Sequence, residues 1–266
     1  MDRIRSDDAE IFYEIRGDGP PVVLLHPFPV HHEFWYPVAS ALESRYRLIL
    51  PDLRGHGDSE IGEGPAFMPK HASDIARVLD AAGIGKAAFV GCSIGGYILF
   101  EFWRRFRDRV TSLALCDTRP QADTPEGRAN RLQAAATVLE QGTEPFLETM
   151  VPKLMGRTTI SARPDLVAGA RAMMRKMSAE DISLVLRGMA ERPDSIADLK
   201  AINVPTLIAI GEEDVLSPVA DGELMRQNIA GSQLRVIPKA GHYAPWEQPE
   251  LVGKILRQFL DEVPRN

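Results

Sequence analysis

Phe89-Val90-Gly91-Cys92-Ser93-Ile94-Gly95-Gly96 is the stretch on which the fold turns. An apolar run leads into Gly91 and a helix-length segment with spaced apolar residues starts at Ile94, so Ser93 stands where a strand bends sharply into a helix. Such a turn needs small neighbours, because a strained serine backbone leaves no room for side chains at Gly91 and Gly95. The serine hydroxyl is then presented at the strand end, beside a helix N-terminus whose free N–H groups favour developing negative charge.

Outward from this turn the chain alternates. Apolar runs over 10–15, 21–26, 46–50, 87–91, 110–116, 204–211 and 233–237 read as strands. Helical spacing appears over 33–42, 71–82, 94–106, 220–229 and 249–260. Alternation of this kind predicts an α/β protein with a mostly parallel sheet covered on both faces. It breaks between residues 119 and 196, where helical signals occupy 126–141, 143–154, 164–177 and 179–189 and six of the nine methionines fall. No Gly/Ser/Pro linker marks either edge, so the expected organisation is a core of 1–118 and 197–266 carrying a helical cap insertion over 119–196.

A serine hydroxyl needs a base, and the base needs an orienting acid. Ile208-Ala209-Ile210-Gly211-Glu212-Glu213-Asp214 puts Asp214 just past a strand, and His242 follows the last strand in Ala240-Gly241-His242-Tyr243. Ser93, Asp214 and His242 are therefore the expected catalytic set. Asp117, at the end of the 110–116 strand, is the rival acid. Glu212 and Glu213 are expected to face solvent, and Glu247 to serve the start of the final helix, where Pro249 suits the first turn.

With His26-Pro27-Phe28-Pro29 after one strand and Asp52-Leu53-Arg54-Gly55-His56-Gly57-Asp58-Ser59 after another, nearly the whole chain resembles the α/β-hydrolase superfamily. The resemblance implies a mostly parallel sheet flanked by helices, with the helical cap inserted after the sixth strand. It also implies an oxyanion hole made by the backbone N–H groups of Phe28 and Ile94. Pro27 stands where the family usually has glycine; proline lacks an N–H, but the donor required belongs to Phe28. The capped esterases, lactonases and 3-oxoadipate enol-lactonase-like members are the most similar, which implies a serine hydrolase cleaving a small carboxylic ester or lactone through an acyl-enzyme.

Rival activities are a carbon-carbon bond hydrolase of the meta-cleavage type with the same triad, acyl transfer to peroxide or an alcohol, and a slow-turnover receptor. Dehalogenases and epoxide hydrolases of this architecture place aspartate at the turn, against Ser93. Met150, Leu216 and Tyr243 are the candidate pocket residues, the last two from position alone.

Composition bounds the partners. The formal charge is −6, from 31 Lys plus Arg against 37 Asp plus Glu, so no net positive field draws nucleic acid. No 18-residue apolar stretch occurs, residues 1–8 lack the apolar run expected of a signal peptide, and the two cysteines, Cys92 and Cys116, lack metal-site spacing, so a cytoplasmic protein without membrane contact is expected. No cofactor and no metal is expected. His26 and His56 are read as structural turn residues, and His31 and His32 as lacking carboxylate or cysteine partners for a metal. The oligomeric state is left open.

Overall fold

Eight strands form one sheet in the order β1-β2-β4-β3-β5-β6-β7-β8 in a computed structural model that describes residues 2–264. They are β1 (Asp2–Ser6), β2 (Ala9–Arg16), β3 (Pro21–Leu25), β4 (Arg47–Pro51), β5 (Ala87–Cys92), β6 (Val110–Cys116), β7 (Thr206–Gly211) and β8 (Gln233–Ile237). β1 and β2 run antiparallel at one edge, and every pairing from β4 through β8 is parallel. β5 sits at the centre with all six residues buried, as expected of a strand covered on both faces. β1 was not foreseen: its polar, largely exposed sequence DRIRS carries no apolar run and earns its conformation from pairing with β2.

The sheet is flanked by α1 (Tyr36–Ala39), α2 (Met68–Ala81), α3 (Ile94–Phe106), α10 (Val219–Asn228) and α12 (Pro249–Glu262), with the short α11 (Ala244–Glu247) ahead of α12. The expected helix over 33–42 is instead a 3-10 turn, His32–Trp35, followed by the single turn of α1. α2 starts three residues earlier than expected because Pro69 suits a first helical turn. Between β6 and β7 the chain runs through α4 (Pro125–Gln141), α5 (Thr143–Leu154), α6 (Arg157–Ala162), α7 (Pro164–Met174), α8 (Ala179–Ala190) and α9 (Ile196–Leu199). Thr124 caps α4 and a Ser178–Asp181 capping box opens α8. α6 was not anticipated, since six residues are too few for a readable period. No helix among the described residues is long and apolar enough to cross a membrane.

The turn after β4 is held from inside. Arg54, almost wholly buried, makes a two-pronged ion pair with Asp74 at 2.7 and 2.9 Å and reaches Asp8 as well. His26 Nε2 accepts the Leu53 N–H at 2.9 Å, joining the loop after β3 to this turn; burial holds its imidazole well below the usual range and therefore neutral.

Candidate active site

Ser93 has φ +54 and ψ −113, the strained backbone foreseen for the turn between β5 and α3. Space explains its neighbours. A Cβ on Gly91 would lie 2.6 Å from the Gly95 carbonyl carbon, and one on Gly95 would lie 2.6 Å from the Leu25 oxygen. Two bonds fasten the turn to β6: Ser93 N–H donates to the Cys116 oxygen at 3.0 Å, and the Thr118 hydroxyl donates to the Ser93 oxygen at 2.8 Å.

The structure brings together the three side chains picked from the sequence. His242 Nε2 lies 2.7 Å from Ser93 Oγ, and His242 Nδ1 lies 2.8 Å from Asp214 Oδ2. In the tautomer that lets Nδ1–H donate to the carboxylate, Nε2 is free to accept the serine proton. Asp214 Oδ1 accepts the N–H groups of Leu216 and Ser217 at 2.8 and 3.0 Å, so its own loop fixes the acid. All three residues are buried.

Asp117 lies elsewhere. Its carboxyl accepts Gly211 N–H at 2.7 Å and Ala244 N–H at 3.2 Å, and makes no bond to the His242 ring. Burial, then the nearby Asp214 charge, pushes its pKa well above the usual carboxylate range. It clamps β6 to the loops that carry Asp214 and His242, three residues past Gly211 and two before Ala244. Glu213 and Glu247 also depart from expectation. Glu213 accepts the Thr158 N–H at 2.9 Å and the Thr158 hydroxyl at 2.5 Å instead of facing solvent. Glu247 is buried and accepts Gly156 N–H and Gly241 N–H, each at 2.8 Å, so it does not serve the start of α12. Both carboxylates thus bind the start of α6, where unpaired N–H groups and the helix dipole favour negative charge.

A cavity of about 330 Å³ opens beside Ser93 and His242. Phe28 and Leu216 line it from the ends of the sheet, and Arg131, Met150 and Leu186 line it from α4, α5 and α8. Tyr243 does not line it: the ring is fully buried and its hydroxyl donates to the Phe28 oxygen at 2.9 Å, behind the wall. Adjacent residues on this loop project in different directions, so standing beside His242 does not put Tyr243 in the cavity. Phe28 is in the loop after β3, and Ile94 is the first residue of α3.

His31 and His32 have the carboxylate neighbour that the sequence did not reveal. Asp52 Oδ1 accepts both the N–H and the Nδ1–H of His32, at 2.8 and 2.7 Å, and the donor atoms of His31, His32 and Asp52 lie within 4.8 Å of one another. That spacing suits a cation, but Asp58 N–H occupies the other oxygen of Asp52 at 2.8 Å, so this carboxylate is satisfied within the protein. Burial raises the Asp52 pKa less than the His32 hydrogen bond and the neighbouring donors lower it, leaving it at about 2.

A sheet of this order with a serine turn after its central strand defines a hydrolase scaffold, and the family match agrees. The chain belongs to the alpha/beta hydrolase fold family, whose pattern matches residues 20–249, and it is a hydrolase. It is similar to a thermophilic esterase from Thermogutta terrifontis solved with malate bound, at 38% identity and a TM-score of 0.95 over 99% of both chains. The enol-lactonase from Burkholderia xenovorans LB400 superposes with a TM-score of 0.91 at 26% identity, over 98% of this chain and 100% of that one. The 3-oxoadipate enol-lactonase 2 of Acinetobacter baylyi is 27% identical over 97% of each chain.

Proposed function

We propose that this hydrolase cleaves a small carboxylic ester or lactone through an acyl-enzyme formed on Ser93. The observation that carries the reading is the unbroken relay from Ser93 Oγ through His242 to Asp214, at 2.7 and 2.8 Å, opening onto the cavity. Ser93 Oγ attacks the carbonyl carbon while His242 Nε2 takes its proton. Asp214 orients the imidazole and stabilises its charged form. The Phe28 and Ile94 N–H groups receive the oxyanion, and a donor of this kind is worth about 3 kcal/mol in comparable sites. The alkoxide or enolate then leaves with the proton held by His242, and water attacks the acyl carbon by the reverse relay. The esterase and enol-lactonase names of the similar proteins support ester or lactone as the substrate class.

Residues 119–196 act in this reading as a cap over a core of 1–118 and 197–266, supported by the cavity walls that α4, α5 and α8 contribute. The test is covalent labelling with a fluorophosphonate, read by intact mass and peptide mapping. Stoichiometric labelling at Ser93, lost in Ser93→Ala, is the expected result; a folded protein that takes no label, or takes it elsewhere, refutes the assignment.

A further inference from the structure

The cavity beside Ser93 carries charge that ester cleavage alone does not require. Arg119, Arg131 and Lys153 line it, and among the described residues no carboxylate does. Behind these cations lies Asp123, its side chain only 2% exposed, on which three guanidiniums converge. Arg131 engages both its oxygens, at 2.8 and 3.3 Å. Arg192 meets it at 2.8 Å, donates to the Gln121 oxygen and stacks 4.4 Å above the Tyr97 ring. One negative charge thus answers three positive ones.

Arg119 is the least engaged of the three. It reaches Asp123 through one nitrogen, at 3.1 Å, and faces the Tyr97 hydroxyl, while its Nε, like that of Arg192, is buried with no partner. With its side chain 31% exposed where it lines the cavity, Arg119 keeps guanidinium donors that an incoming oxygen can reach. The backbone just before it is tied to the nucleophile's turn, because the Thr118 hydroxyl donates to the Ser93 oxygen.

We propose that Arg119 and Lys153 form a carboxylate subsite, and that the substrate is an ester or lactone bearing a free carboxylate group. The planar guanidinium fork matches a carboxylate, and the lysine adds a point charge on the same cavity. This inference rests on the hydrolase reading above and adds the charge of the substrate to it.

Monoethyl glutarate and ethyl pentanoate are similar in length and differ in charge. Their kcat/KM values, measured by pH-stat for the wild type, Arg119→Gln and Arg257→Gln, test the subsite. The wild type should prefer the glutarate half-ester by about tenfold or more, as a charge-assisted contact allows, and Arg119→Gln should cut that preference by a similar factor, chiefly through KM. Arg257→Gln removes the same charge from the exposed face of α12 and should keep the preference within about twofold. Lys153→Met, at an exposed position, carries the comparison if Arg119→Gln fails to fold. Glutarate should also bind the Ser93→Ala protein in calorimetric titration, which needs no turnover, and lose binding when Arg119→Gln is added. A wild type that cleaves the neutral ester as well as the half-ester, with a ratio indifferent to Arg119→Gln, overturns the subsite and leaves the hydrolase reading standing. Cleavage of neither ester, with no fluorophosphonate labelling, overturns the hydrolase reading, and glutarate binding then decides the subsite alone.

Discussion

Replacing Asp52 with asparagine should make the protein less stable at neutral pH and leave it almost unaffected in strong acid. Asp52 accepts three hydrogen bonds, two from His32 and one from Asp58, that tie the loop after β3 to the turn after β4. Its folded pKa of about 2 compares with 3.8 for an unhindered aspartate. A depressed carboxylate pKa stabilises the fold above the unfolded value, and that contribution is lost as pH falls through the folded one. At 1.36 kcal/mol per pH unit the interval is worth roughly 2 kcal/mol above pH 5 and about half as much at pH 3. Urea denaturation of the wild type and Asp52→Asn at pH 7, 5, 4 and 3 measures it; groups remote from Asp52 contribute equally to both and cancel in the difference, whereas His26, His31 and His56, which feel its charge, do not. A stability difference that stays constant from pH 7 to pH 3 would refute the reasoning.

Other expectations concern the relay, the cavity and the turn. Asp214→Asn should lower kcat on a cleaved ester by about 10³ to 10⁴ with a smaller effect on KM, because the imidazole loses its orienting acceptor; steady-state kinetics decide it. The cavity of about 330 Å³ suits short acyl groups, so kcat/KM for p-nitrophenyl butyrate should exceed that for the palmitate ester, and the reverse order would show that the acyl chain lies elsewhere. Gly95→Ala places a methyl 2.6 Å from the Leu25 oxygen and 3.0 Å from the Leu25 Cβ, and should cost about 1–3 kcal/mol in urea unfolding as α3 is pushed off β3.

Local chemistry explains which features were readable in advance. Ser93 stood out because a strained turn tolerates only small neighbours, and Asp214 and His242 because each follows a recognisable strand. Glu213 and Glu247 were misjudged since their partners, Thr158 and Gly156, lie 55 and 91 positions away, beyond the reach of any periodicity. Asp52 escaped notice as a neighbour of His32 for the same reason, with 20 positions between them. Arg119 gave no sign of its state, because an unmet donor is a property of three-dimensional surroundings. The edge strand β1 was invisible because pairing, not side-chain pattern, makes it a strand.

The paired carboxylates at the start of α6 bear on how the acid and base loops are held together. Glu213 immediately precedes Asp214, and Glu247 is five residues past His242, so the first turn of α6 hangs from the same two loops that hold the acid and the base. Three hydrogen bonds, from Gly156 N–H, Thr158 N–H and the Thr158 hydroxyl, form this attachment. The start of α6 is therefore a strap laid across two posts, the acid loop and the base loop, and it ties the seating of one to the seating of the other.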